Sequence, residues 1–596
     1  LLPVFEAPTW VMKALIALLA IGFFAALVFA WVFELTPEGL KRDADVAPEQ
    51  SIAPQTARRL DRMLLLVMAL ALGYFAFDKF VLAPKREAAS IVSATKDAKA
   101  ATPVAAPAVI DKKSIAVLPF VSMSSAIDDE FFADGLSEEI LNSLARIDGM
   151  QVVGRTSSFQ FKGKNEDLRS IGKQLGVASV LEGSVRRGGD RARITAQLIR
   201  TSDGIHLWSQ TYDRTLQDTL SVQLDIAEQV AAALNVALDD QQRARMHDEG
   251  VEDIDAFIAY QKGLKLYQDA HNPAKSRDVI DGLRLANVEF TKAAALEPDF
   301  GQAYFVAGDL YNHTLLANDR APAERLDAQR EGMRYYGLAA QHSQDAQLRL
   351  LALAERQMLS DNWHGLADKI DAALKQPGCR NPDWLPVFAG AFGYVDDIED
   401  LGKRTSECDP LNGINYTSRI RAARAAGRGQ QALDIETARA KAFGRGPLRT
   451  PSPLASLMLG RFDDAKAALD AIELFDEAYY ASAVIVGTVT GEPAESIKAR
   501  LQRVDRSASI FQVWNNADAI EAAWFGNRTE ANRIAAAIDA RTAGPLVLAV
   551  LTTDCLCGAP FDLEATPNFK ARLAESGLRW PPKRVEFPAP DAGAKP

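Results

Sequence analysis

Hydrophobic and polar positions change rhythm several times along this chain, and each change marks a boundary. Ala14 to Phe33 is a run without a charge, with Trp10 and Trp31 near its ends. Met63 to Ala83 is a second run, whose only charges, Asp78 and Lys79, fall about one turn from its end. At about 1.5 Å rise per residue each covers roughly the 30 Å hydrocarbon layer, and aromatic rings favour its interfaces. The pattern predicts two transmembrane helices, in residues 1–33 and 63–83, joined by a loop over 34–62. Residues 84–113 are rich in Ala, Pro, Ser and Lys, lack aromatics and show no apolar period, which predicts a disordered stalk.

From Ser114 the rhythm becomes that of a folded domain. Ile115 to Phe120 is a short continuous apolar run, as in a strand covered on both faces. Phe132, Leu136, Ile140, Leu141 and Leu144 then recur at helical spacing. Val180 to Arg186 opens another strand. Ala192, Ile194, Ala196 and Leu198 alternate with Arg193, Thr195 and Gln197, the signature of a half-buried strand. Turn residues precede it at 187–190 and follow it at 202–204, and a last strand over His206–Tyr212 leads into a helix. The order β-α-β-α-β-β-β-α predicts an α+β domain with a mixed sheet over residues 114–238.

Beyond Asp253 the strand signals give way to Ala-rich helical patterns. Ala286, Phe290, Ala293 and Pro298 stand at the spacing of the second helix of a tetratricopeptide repeat, and Tyr304, Gly308 and Tyr311 at that of the next first helix. Small residues then climb a ladder: Ala367, Ala432, Ala465, Ala499 and Ala531, with Ile398 filling one rung, at steps of 31, 34, 33, 34 and 32 residues. An all-α solenoid is expected over 251–545, with a cap and tail over 546–596. Such an array offers a concave face to protein partners. Tyr304 and Tyr311 read as core residues.

The phrases SIAVLPF (114–120), DDEFFADGLSEEILNSLARI (128–147), VVGRTSSFQFKGKN (152–165) and VLEGSVRRGGDRARITAQLIRTSDGIHLWSQTYDR (180–214) come in an order that resembles the TolB amino-terminal-like (FlgO-like) domain of bacterial envelope proteins. That domain is often preceded by membrane helices and followed by tetratricopeptide repeats. ELTPEGLKR at 34–42 resembles the cytoplasmic loop of the same family. The resemblance implies an inner-membrane anchor with everything after residue 84 in the periplasm. Basic residues agree by a narrow margin, with Lys41, Arg42, Arg58, Arg59 and Arg62 in the loop against Lys85, Arg86, Lys96 and Lys99 after it. The implied role is a non-catalytic scaffold that binds proteins or envelope components. The alternative is the sensor or regulatory part of a signalling system, like a transcription regulator or linked to a class III adenylate cyclase. The chain opens on Leu1 without a secretory leader pattern, and an earlier helix with a short basic head is expected ahead of it.

Composition narrows the chemistry further. A net charge of −11 argues against bulk nucleic-acid binding. FKGKN at 161–165 lacks the remaining residues of a phosphate-binding loop. Arg186, Arg187, Arg191 and Arg193 cluster around one hairpin and read as a charged, solvated edge. His206, His247, His271, His313, His342 and His364 are scattered without metal-ligand spacing, and neither GxSxG nor HExxH occurs. No catalytic residue, metal or cofactor is therefore expected. Cys379 and Cys408, 29 residues apart, are candidates for a bridge. Cys555 and Cys557 form a lone CxC, free to pair internally, to cross-pair with the other two, or to stay as thiols.

Overall fold

Ser114 to Val117, all buried, form the strand β3 on which the first domain is built. The structure is a computed structural model. It describes the backbone of residues 33–36 and 39–42, and residues 110–589 apart from positions 125, 217, 241, 244–250, 252, 273–274, 276–277, 381, 383, 444–451, 473–476, 503 and 509–511. Residues 1–108 and 109–596 form two separate units. In the first, β1 (Phe33–Thr36) and β2 (Gly39–Arg42) pair as an antiparallel hairpin, with Leu35 opposite Leu40.

In the second unit, β3, β4 (Val121–Ser122), β5 (Gln151–Val152), β6 (Ser179–Gly188), β7 (Arg191–Arg200) and β8 (His206–Thr215) make one mixed sheet. Its order is β5-β3-β6-β7-β8, with β4 also on β6. β3 runs parallel to β5 and β6, whereas β6, β7 and β8 form an antiparallel meander. Gly189 takes a positive φ of 64° in the two-residue turn between β6 and β7, a conformation that suits glycine. Ile194, Ala196 and Leu198 point from β7 into a core with Phe132, Leu136, Ile140 and Leu144 of the Ile127–Ala145 helix. Ala116, Leu118 and Val180 face the other way, against Phe161, Ile171 and Leu175. The predicted mixed α/β domain is therefore present, with β8 running to Thr215, past the predicted Tyr212, and β3 ending at Val117, short of the predicted Phe120.

An all-helical region follows. Its neighbouring helices approach closely where one offers no side chain. A Cβ on Gly263 would lie 2.6 Å from the Phe290 ring, and one on Gly429 would lie 2.6 Å from Met458. Gly308 sits at the joint between helices Gly301–Ala307 and Asp309–Leu316, where a Cβ would stand 2.5 Å from the buried Tyr336 ring. Overfilling such a contact costs about 1–3 kcal/mol, so Gly308→Ala is expected to lower the denaturation midpoint measured by circular dichroism. Of the ladder positions, Ile398, Ala432, Ala465 and Ala531 are buried, and so is Ala286 ahead of them. At the other two rungs Ile370 and Ile497 turn inward instead, leaving Ala367 half-buried and Ala499 exposed.

The helical region closes on itself. Trp363, wholly buried, meets Phe388, Phe392 and Phe569 edge-on, at centroid distances of 5.2, 6.3 and 6.0 Å. The Gly544–Cys555 helix is buried from Gly544 through Thr553 and belongs to the same core as Leu315, Leu351 and Leu401. Thr553 Oγ1 donates to Val387 O at 2.7 Å, and Arg541 reaches the Leu315 and Ala317 carbonyls at 3.3 and 3.1 Å. A helix apolar on every side must be surrounded, so this segment serves as a central strut.

Among the described residues no helix is long and apolar enough to cross a membrane. The 21-residue Pro322–His342 helix, for example, carries Glu324, Arg325, Asp327, Arg330, Glu331 and Arg334. As far as the described residues go, this finding contradicts the expected inner-membrane, periplasm-facing localisation. The two runs read as spans lie outside the described residues, except that Phe33, the last residue of the first, opens β1.

Candidate functional site

Arg155 to Ser157 carries the junction between the sheet domain and the helices, and it is held from two directions. On one side Glu138, buried on the Ile127–Ala145 helix, accepts from Arg155 Nε at 2.8 Å and from Gln261 Nε2 at 2.7 Å. Gln261 lies on Ile254–Ala270, which packs tightly because Gly135 leaves room for Phe257: a Cβ there would fall 2.0 Å from the ring. Lys162 bridges Glu130, at 2.7 Å, and Asp134. Burial pushes the Asp134 carboxyl above its ordinary range despite that lysine.

The second hold comes from far along the chain. The short helix Arg155–Phe159 starts at Gly154, which has no side chain to cap it. Asp409 does so instead, accepting from Ser157 N at 2.8 Å and Ser157 Oγ at 2.5 Å. Gly154 N donates to Cys408 O, Leu411 N donates to Ser157 Oγ at 2.6 Å, and the Leu411 side chain enters the core beside Leu118 and Val180. A Cβ on Gly154 would strike the Asp409 carboxyl group at 2.6 Å, so glycine is needed there. Burial raises the Asp409 carboxyl above its ordinary range, against the bonds from Ser157 and Asn412. Cys408 is joined to Cys379 (Cα–Cα 6.1 Å), and Cys555 to Cys557 (5.1 Å).

The arginines around the β6–β7 hairpin divide their work. Arg187 pairs with Asp129 at 2.9 Å over the Phe132 ring, and Arg191 and Arg193 share Asp213 across to β8 at 2.7 and 2.8 Å. Tyr304 and Tyr311 both pack against Tyr335.

His271 and His313, read in the sequence as scattered histidines without metal-ligand spacing, converge with Asp309, which the sequence reading did not mark. His271 ends the Ile254–Ala270 helix, and Asp309 and His313 lie one turn apart on Asp309–Leu316. His271 Nε2 stands 3.2 Å from His313 Nε2. Asp309 Oδ2 is 3.3 Å from His271 Nε2 and 3.7 Å from His313 Nε2, in geometry that leaves it without a well-aligned hydrogen bond. Its other oxygen accepts from Trp384 Nε1 at 2.6 Å, and Trp384 also meets the His313 ring edge-on. Burial pushes the His313 imidazole down to about 4, against the pull of Asp309. Burial would raise Asp309, but His313, His271 and Trp384 outweigh it and hold the carboxyl at about 2.

Residues 111–229 match the model of the HilA/YgeH-like transcriptional regulator, second domain. A relative named "Putative adenylate cyclase 3", from Rhizobium meliloti (strain 1021), is 44% identical over 146 residues, which is 24% of this chain. The match spans 25% of that relative's own length. Among solved structures, the PelC dodecamer from Paraburkholderia phytofirmans is 19% identical over 23% of this chain and 96% of its own, with a TM-score of 0.17. Lipoprotein GNA1162 from Neisseria meningitidis is 17% identical over 21% of this chain and 99% of its own, also at 0.17.

Proposed function

We propose that this chain is a non-catalytic regulatory module, in which tetratricopeptide-like helix pairs bind a protein partner and the TolB-like α/β domain passes that occupancy to an output. The observation that carries the reading is the double hold on residues 155–157. One short helix touches Gln261 near the start of the helical region and Asp409 well beyond it, so a change in the spacing of those helices acts directly on the sheet domain. The output class is drawn from the comparisons, one a family model of a transcriptional regulator's second domain and the other a relative named an adenylate cyclase. A passive scaffold is the second reading, favoured by the small-residue helix contacts at Gly263, Gly308 and Gly429.

The test is deletion of the gene in its host, with transcript abundances and cyclic AMP recorded and the gene then restored. The regulatory reading expects a discrete set of transcripts, or the cyclic AMP level, to change and to recover only with the intact junction. Unchanged transcripts and cyclic AMP would leave the scaffold. Purified full chain given ATP and Mn²⁺ is expected to form no cyclic AMP above a protein-free blank; formation would refute the non-catalytic part.

A further inference from the structure

We propose that His271, Asp309 and His313 form a binding site for a divalent transition-metal ion of the zinc class. The argument starts from spacing. With metal–nitrogen distances near 2.0–2.1 Å and metal–oxygen near 2.0–2.2 Å, neighbouring donors around a tetrahedral zinc stand about 3.3 Å apart. The three donor atoms stand 3.2, 3.3 and 3.7 Å apart, so they outline one face of such a tetrahedron.

The polar accounting points the same way. Asp309 is more than nine-tenths buried, and its Oδ2 faces both imidazoles without a well-aligned hydrogen bond. A buried carboxylate oxygen left poorly bonded is costly unless a cation answers it. The surroundings are also those of a metal centre. His271 Nδ1 lies 2.9 Å from Tyr267 O, a bond that requires the proton on Nδ1 and so turns the neutral ring's Nε2 lone pair toward Asp309 and His313. Trp384 Nε1–H fixes the remaining oxygen of Asp309. Two imidazoles and one carboxylate suit zinc or cobalt better than calcium or magnesium, which take oxygen donors. Three protein donors leave a fourth position for water or for a group from a bound partner. His271, at 28% side-chain exposure, supplies the way in.

Metal binding here ties two helical segments together, since His271 ends one helix while Asp309 and His313 stand on another. The site is independent of the regulatory reading. The test uses the full chain without added histidine tags, stripped with chelator and then titrated with Co²⁺ and, separately, with Zn²⁺. One equivalent per chain is expected, with the visible absorption of tetrahedral cobalt and displacement of cobalt by zinc. His313→Ala and Asp309→Asn should each weaken binding at least tenfold. His271→Ala, at the exposed edge where folding is least at risk, should do the same while the circular dichroism spectrum stays unchanged. Absence of a stoichiometric cobalt complex in the wild-type chain overturns the proposal, as does undiminished binding in the folded His271→Ala variant.

Discussion

Trp363→Ala is expected to destabilise the helical region by about 3–5 kcal/mol, the range for removing a large buried aromatic side chain. Trp363 is fully enclosed, and its indole N–H donates to the Met358 carbonyl at 3.2 Å. The rings around it come from 388, 392 and 569, so one truncation hollows out the place where early and late helices meet. The loss should appear in urea denaturation followed by far-ultraviolet circular dichroism. Near-identical midpoints for variant and wild type would show that the late helices do not pack there. Trp363→Phe, which keeps a ring in place, should recover a large part of the difference.

The second large effect belongs to Asp409. Replacing it with Ala strips the Arg155–Phe159 helix of its cap and leaves Ser157 N and the Asn412 amide without their acceptor. Leaving buried donors unpaired costs about 1–3 kcal/mol each, so local opening should rise by at least roughly fivefold to tenfold. Hydrogen exchange of residues 154–161 is the measurement, because the cost is confined to that junction. Exchange as slow as in the wild type would rule out the cap. Asp409→Asn retains an acceptor and should be milder. The carboxyl is held above its ordinary range by burial, which means the folded junction binds a proton more tightly than the unfolded chain does. The stability it contributes is thus fully present below the ordinary carboxylate pKa and declines as pH rises through the raised value. After correction for intrinsic rates, residues 154–161 should open less often as pH falls from neutral toward the carboxylate range. Asp409→Asn should flatten that dependence.

The sheet domain was legible because its pattern is local. The strict alternation from Ala192 to Leu198, bounded by turn residues, dictates which face of β7 is buried wherever the strand finds its partners. Helix pairing was legible for a related reason, since Ala286, Ala432 and Ala465 mark close approach by being small. The closure of the helical region was harder to see. Its one clue is PLVLAVL at 545–551, apolar on every side of a helix, which demands company on every side. The hold of Asp409 on Ser157 joins residues 252 positions apart and leaves no periodic trace. Asp309 and His313 stand four residues apart, the spacing of one helical turn, but the third partner arrives from His271 on another helix. No motif keyed to one segment finds that trio.

A stack of repeats can lengthen or shorten at its end during evolution, because each unit leans only on the one before it. The interior position of the Gly544–Cys555 helix forbids that route here, since a pair inserted before it would carry it out of its slot. Synthesis is constrained in the same way. At about 5–20 residues per second, the ribosome takes roughly 8–30 s to pass from Phe392 to Val547. Throughout that interval Trp363, Phe388 and Phe392 lack the late helices that complete their core.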